Sequence, residues 1–447
     1  MKDVHLLVVI HGMWGQPSHV STAAQIIQET FAAKQSEADS GLEFDVLLAE
    51  TNRELHTYDG IDWCAERVVK EVMERKATLE KDGLKRVARF SVFGYSLGGL
   101  VARYAIGILY SQEFFKAVTP VNFTTFATPH IGLIDYATWW SRTVEFIGSR
   151  LLSRTGEQFF AHDKWSPDGQ PLLLAMSDKE KIFYKALRSF PNLRIYANGV
   201  KDRTVPFVTA YITTHDPFID YPASGLQVKY DPKYYPVITS YDTPAERPPP
   251  PPPAPLYKRL AFPLPPFLNR GMPFNLFIYA ALPLLIPVFI GLVLTRFAVA
   301  THASRKRIKL LESDAPAETR LGRLWREFNQ EVGETIADMV EDPTGPRDLT
   351  SPEDVYASQS GTRSPSPVEK YRDDDSAPPQ KGAPVLTARQ KQIVANLNSI
   401  PHLRKHIAFV PHYMNAHAVI VCRDPAQFSA HEEGKGVIRH WADRFEF

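Results

Sequence analysis

Cysteine is nearly absent, with only Cys64 and Cys422 in 447 residues. Two thiols cannot build a disulfide framework or a cysteine zinc cluster, which removes the small secreted scaffold and the structural zinc site and points to a reducing compartment. An excess of either charge is missing too. The 51 Lys and Arg against 50 Asp and Glu leave a net +1, so no global field recruits nucleic acid or an anionic membrane, and a nucleic-acid binder is disfavoured. A secretion signal is not expected: the first apolar run covers only Val4 to Ile10, follows Asp3 and runs straight into His11-Gly12. That run is too short for a signal core and reads as a buried strand.

What is abundant is proline. There are 37, about 8% against a usual ~5%, and they concentrate in two stretches that cannot be packed core. Before them, from Val4 to about Ser240, short β-rich runs alternate with stretches of helical period, the signature of βαβ units and a mostly parallel sheet. Strands are predicted at Val4 to Ile10, Phe44 to Ala49, Val87 to Phe93, Phe123 to Ala127 and Leu193 to Ala197. Asp62 is the predicted cap of a helix with Ala65, Val68, Val69, Val72 and Met73 on one stripe, and Gly98 to Leu109 is a second, apolar helix.

After Ser240 the composition changes. Pro248 to Pro253 are consecutive prolines, a stiff polyproline II spacer. An uncharged stretch from Gly271 to Thr295 follows, bounded by Arg270 and Arg296. Its length exceeds the ~20 residues a membrane-crossing helix needs. Leu321, Leu324, Trp325, Phe328, Val332, Ile336 and Met339 then recur at helical spacing among charges, an amphipathic helix for a lipid surface or for the protein body. Glu341 to Pro384 is rich in Pro, Ser, Asp and Arg and is expected to be disordered. Order is expected to return with a helix capped by Thr387, a strand at Ile407 to Val410 and a closing helix at Val437 to Phe445.

Gly94-Tyr95-Ser96-Leu97-Gly98 lies between a predicted strand and a predicted helix, the context of a nucleophile elbow. Gly94 and Gly98 are needed because the turn is too tight for side chains on either flank, and the geometry holds the Ser96 hydroxyl at the strand tip. Acyl transfer also needs oxyanion donors. The backbone N–H of Leu97 is one candidate, and that of Met13, in the glycine-flanked loop His11-Gly12-Met13-Trp14-Gly15, is the other. His11 is read as a brace for this loop. In an α/β-hydrolase the acid and then the histidine follow the serine. Asp202, just past the fifth strand, is the chosen acid over Asp216 and Asp220. His412 and His417 occupy the loop after the last strand; His417 is preferred because small residues surround it, with His215 the outsider. No cofactor or metal is called for.

The set Val8-Val9-Ile10-His11-Gly12, Phe93 to Tyr104 around the elbow, Phe126-Ala127-Thr128-Pro129-His130-Ile131-Gly132 and Asn415-Ala416-His417 resembles the fungal putative serine esterase family, α/β-hydrolases that include a lipid-droplet phospholipase. The resemblance covers roughly Val4 to Pro206 and Leu386 to Phe447. It implies a Ser-His-Asp lipase acting on glycerophospholipids or acylglycerols, with Ser96, Asp202 and His417 on the matching motifs. It also implies a cytosolic catalytic domain at a lipid-droplet or endoplasmic reticulum surface. His130 precedes the acid and is read as structural.

The expected organisation is a hydrolase core at 1–240, a proline-rich linker at 241–270, a membrane hairpin or transmembrane segment at 271–295 and an amphipathic helix at 318–340. A disordered stretch at 341–385 and the rest of the core, with the catalytic histidine, at 386–447 complete it. Because Ser96 and His417 must meet on one side of any membrane, a hairpin bent at Pro283 and Pro287 is the preferred form of the apolar segment. The competing form is a spanning helix with His215 as base. A lipid acyltransferase on the same site and a catalytically idle lipid-surface adaptor are the alternative functions. Protein partners are not indicated.

Overall fold

A computed structural model describes residues 1–37, 41–134, 136, 148–166, 168–221, 223–244, 271, 274–314 and 383–447. Eight strands form one sheet: β1 (Lys2–Ile10), β2 (Glu43–Leu48), β3 (Lys85–Tyr95), β4 (Thr119–Phe126), β5 (Asn192–Asn198), β6 (Gln227–Tyr230), β7 (Val237–Asp242) and β8 (Leu403–Ala408). Their spatial order is β2-β1-β3-β4-β5-β8-β7-β6. The first six neighbours are parallel, and β7 and β6 add an antiparallel edge. This is an α/β-hydrolase fold.

Alternation along β1 shows why both faces are covered. Leu6, Val8 and Ile10 join one core with α2 (Ile61–Glu80) and α3 (Leu97–Ser111). Leu7 and Val9 join the opposite core, against α1 (Ser21–Glu37) and a C-terminal helix at Gly434–Asp443. A strand buried on both faces favours apolar residues at successive positions, which is why β1 reads as a nearly continuous run, its one buried polar side chain, His5, being paired with Ser91 Oγ at 2.7 Å.

The late strand β8 inserts between β5 and β7, with Leu193 opposite Leu403 and Val237 opposite Ala408. Residues 383–447 therefore complete the same sheet that the first 242 residues begin. The predicted strand at Ile407 to Val410 overlaps β8 only at its end. The helix expected after Thr387 is present as Ala388–Asn398, closed by a reciprocal capping box between Thr387 and Gln390.

Two expectations are corrected, and one pair of strands is added. Asp62 is not a helix cap: α2 starts at Ile61, and the buried Asp62 carboxylate instead takes Arg154 Nε and Gln158 Nε2. The β6–β7 edge was not anticipated, because Gln227–Tyr230 carries too few apolar residues to read as a strand. The hairpin is not formed. Phe274–Asp314 is one helix, α4, running through Pro283 and Pro287. Each proline forfeits one backbone hydrogen bond, but a reversal needs several residues to leave helical geometry, and Pro-Leu-Leu-Ile-Pro offers neither glycine nor a polar turn residue. The linker at 245–270, the amphipathic helix at 318–340 and the stretch at 341–382 lie outside the described residues.

α4 divides into two parts. From Phe274 to Val299 its large apolar side chains are exposed, Leu284, Phe289 and Leu292 at 71, 68 and 65%. By length and composition it could cross a membrane. From Ala300 onward it sits on the hydrolase body: Ala300, Thr301, Ser304 and Ile308 are buried, and Thr301 Oγ1 donates to the Leu151 carbonyl.

Candidate active site

Ser96 sits between the last residue of β3 and the first of α3, with φ at 55° and ψ at −124°. That is left-handed backbone for a non-glycine residue, a strain characteristic of nucleophile elbows. The flanking glycines are required by contact. A Cβ on Gly94 would lie 2.5 Å from Gly99 Cα, and one on Gly98 would fall on the carbonyl oxygens of Ile10 and His11. A Cβ on Gly12 would lie 2.8 Å from Ser96 Cβ. The His11–Gly15 loop is thus pressed directly against the serine.

Asp202 and His417 come to the same point from loops far apart in sequence. Ser96 Oγ and His417 Nε2 are 3.0 Å apart, and His417 Nδ1 and Asp202 Oδ2 are 2.9 Å apart. A carboxylate beside Nδ1 requires the proton on that nitrogen, so Nδ1–H donates to Asp202 and Nε2 is left to accept from the serine hydroxyl. The Asp202 side chain is 2% exposed. It also accepts from Asn198 Nδ2 at 2.8 Å and from the Thr204 and Val205 amides at 3.0 and 2.8 Å. Burial pushes its pKa up, but the neighbouring imidazole and these donors outweigh that and hold it below the ordinary carboxylate range.

The imidazole is fixed from behind. Tyr95 Oη donates to the His417 carbonyl at 3.0 Å, and the two rings lie 5.1 Å apart. Asn415 Oδ1 accepts the His417 amide at 3.1 Å, and the Ala416 amide donates to the Lys201 carbonyl at 2.9 Å, tying the histidine loop to the aspartate loop. Nothing in the sequence pattern assigns these roles to Tyr95, Asn198 or Asn415. Only the short spacings of Asn198 to Asp202 and of Asn415 to His417 hinted at local hydrogen bonding.

The rival residues fall elsewhere. His412 and His215 are exposed. The Asp216 carboxylate accepts the Phe218 amide at 2.9 Å, and burial pushes its pKa up to about 6. His130 is buried against Thr125 Oγ1, and burial holds its pKa well below the usual range. His11 Nδ1–H donates to the Gly12 carbonyl at 3.0 Å, consistent with a brace. Leu97 opens α3, where first-turn amides lack partners within the helix. Met13 is half-buried against the core beside it.

The family described as "Putative serine esterase (DUF676)" matches residues 1–215. The matched part holds Ser96 and Asp202, while His417 lies beyond it. "Putative lipase C4A8.10" of Schizosaccharomyces pombe is 28% identical over 214 residues, covering 47% of this chain and 26% of the relative. "Putative lipase ROG1" of Saccharomyces cerevisiae is 27% identical over 252 residues, covering 55% and 34%. The chain thus spans between about a quarter and about a third of the length of these relatives. Among solved structures, phospholipase PlaB from Legionella pneumophila matches at 15% identity with a TM-score of 0.25, covering 47% of this chain and 42% of that one. A putative cell surface hydrolase from Lactobacillus plantarum matches at 13% with a TM-score of 0.24, covering 46% and 74%. Through residues 1–215, just under half of its length, the chain is similar to the putative serine esterase family.

Proposed function

We propose that the protein is a serine hydrolase cleaving acyl esters of glycerophospholipids or acylglycerols, with Ser96 as nucleophile, His417 as general base and acid, and Asp202 as orienter. The observation that carries this reading is the hydrogen-bonded chain Ser96–His417–Asp202 at 3.0 and 2.9 Å. Ser96 Oγ attacks the ester carbonyl carbon while His417 Nε2 takes its proton. The oxyanion is received by the Leu97 and Met13 amides. His417 then returns the proton to the leaving alcohol oxygen as the C–O bond breaks, leaving an acyl-serine. Water, deprotonated by the same nitrogen, releases the carboxylic acid and restores Ser96.

The lipid surface enters the proposal through α4. Its exposed apolar part, 26 residues from Phe274 to Val299, spans about 39 Å at ~1.5 Å per residue, and Leu276, Phe277, Leu284, Phe289 and Leu292 all face outward on it. Asp242 and Ala300, on either side of the linker and this part, are both held on the body. A crossing by α4 alone would put the linker's far end across the membrane from the residues that precede it. We therefore read α4 as inserting from one side, into a lipid-droplet monolayer or the cytosolic leaflet of the endoplasmic reticulum.

The test is labelling with a fluorophosphonate probe and hydrolysis of a lipid panel by the wild type and Ser96→Ala. Both signals are expected to vanish in Ser96→Ala with the melting temperature unchanged, since losing one hydroxyl at a strand tip leaves little cavity. Labelling retained at wild-type level in that variant would remove Ser96 as nucleophile.

A further inference from the structure

The apolar helix and the loop beside the nucleophile share a support. The one-turn 3-10 helix at Glu54–Tyr58 lies between them. On one side it holds the loop: the Trp14 amide donates to Thr57 Oγ1 at 3.2 Å, Trp14 Nε1 donates to Tyr58 Oη at 2.9 Å, and the Glu54 amide donates to the Gly15 carbonyl at 3.0 Å. On the other side it seats α4. The wholly buried carboxylate of Asp59 accepts from Ser304 Oγ at 2.7 Å and from Arg307 Nη2 and Nε at 2.8 and 3.2 Å, and Arg307 also donates to the Leu55 carbonyl at 2.9 Å.

One contact bypasses the support altogether. The Trp14 ring stacks on Phe297 of α4, with centroids 6.0 Å apart and planes 13° from parallel. Trp14 is held at a φ of 53°, a left-handed conformation that a tryptophan keeps only when its surroundings impose it. Two residues earlier, Gly12 lies so close to Ser96 that a Cβ there would come within 2.8 Å of Ser96 Cβ. The exposed lipid-facing part of the helix begins beside Phe297, with Val299 at 64% exposure.

We propose that α4 is a positioning element for the nucleophile as well as an anchor: its seat at Asp59 and the Phe297–Trp14 stack hold the His11–Gly15 loop in the conformation that presents the Met13 amide to the oxyanion. Phe297 and Trp14 are then positioning residues, acting through the loop. Lipid that engages the helix acts on the same element that shapes the oxyanion site, so binding at a lipid surface and turnover are coupled. This rests on the serine-hydrolase reading of Ser96.

The experiment uses the full chain and a water-soluble short-chain ester, so that no lipid surface is needed for turnover. Phe297→Ala should lower kcat about 10-fold or more with KM little changed, because a displaced oxyanion donor weakens transition-state binding alone. Phe297→Tyr, which keeps the stack, should restore it. The ratio of oxoester to thionoester turnover supplies a readout that simple structural loss does not move. Sulfur is a larger and weaker acceptor, so a well-placed donor pair favours the oxoester, and the preference should narrow in Phe297→Ala. If Phe297→Ala melts early, Phe297→Leu and Arg307→Met are measured in its place with the same expected direction. Wild-type kcat and an unchanged ratio in folded variants would overturn the coupling and leave α4 an anchor only. Ser96→Ala runs in parallel: hydrolysis persisting there defeats the serine reading itself, whereas its loss beside a fully active Phe297→Ala defeats only the coupling.

Discussion

Asp202 shows how much of a site depends on one side chain's neighbours. Four donors converge on its carboxylate: His417 Nδ1, Asn198 Nδ2 and the Thr204 and Val205 amides. With its pKa held below the ordinary range, the group stays charged throughout the interval in which a histidine titrates. The acid limb of kcat/KM is therefore expected to follow a single proton, with a slope of one. Asp202→Asn and His417→Ala should each reduce kcat by about 10³-fold or more, since triad members act as a unit. His412→Ala, on an exposed residue of the same loop, should stay within about twofold. Steady-state kinetics on a soluble ester decide this, and a large loss in His412→Ala with none in His417→Ala would reverse the assignment of the base.

At the scale of the element, α4 combines two surfaces on one continuous helix. Its last part is fastened to the body by Thr301, Ser304 and Arg307, and its first part presents apolar side chains to the surroundings. The two surfaces should separate experimentally. Leu285→Glu, Phe289→Glu and Leu292→Glu together place three charges on exposed positions beyond Phe297. Each charge costs on the order of 2–3 kcal/mol to bury in hydrocarbon, so flotation with phosphatidylcholine vesicles should be lost. The seat and the Phe297–Trp14 stack are untouched, so kcat on a soluble ester should remain at the wild-type level. Vesicle binding that survives the triple substitution would remove α4 as the lipid contact.

Across the whole molecule, the interior holds several histidines that burial keeps neutral. Burial brings both His5 and His440 down to about 3, with Arg89 and Arg444 adding to the effect. His130 and His406 lie well below the ordinary value for the same leading reason. A folded pKa below the unfolded one means that the unfolded chain binds protons first as pH falls. Stability from these groups is thus present above about pH 6.5 and is lost from there down towards about 3. Between pH 7 and pH 5 the loss is up to about 2 kcal/mol for each of His5 and His440. Urea unfolding at the two pH values should give a clearly lower midpoint at pH 5 with an unchanged slope. Equal midpoints would mean that these imidazoles reach solvent.

Much of this architecture is local and therefore visible in the chain order. β1 and the second half of β3 are mostly apolar because a strand covered on both faces admits polar side chains only where they pair, as His5 and Ser91 do, and the Gly94–Gly98 elbow is legible because steric crowding at a strand-to-helix turn leaves few residues able to form it. Thr387 marks its helix through a hydrogen bond three residues long. What depended on contacts between distant segments was not legible in the same way. Asp62 has the chemistry of a cap but pairs with Arg154, 92 residues away. Nothing near Trp14 in sequence announces Phe297, and nothing near Asp59 announces Arg307, 248 residues later. The apolar composition of 271–295 specified a segment long and apolar enough to cross a membrane but not whether the chain would turn back at its prolines. Hydrophobicity is additive along a sequence and survives being read one residue at a time, whereas the seating of a helix or the choice between two histidines is decided only when remote surfaces meet.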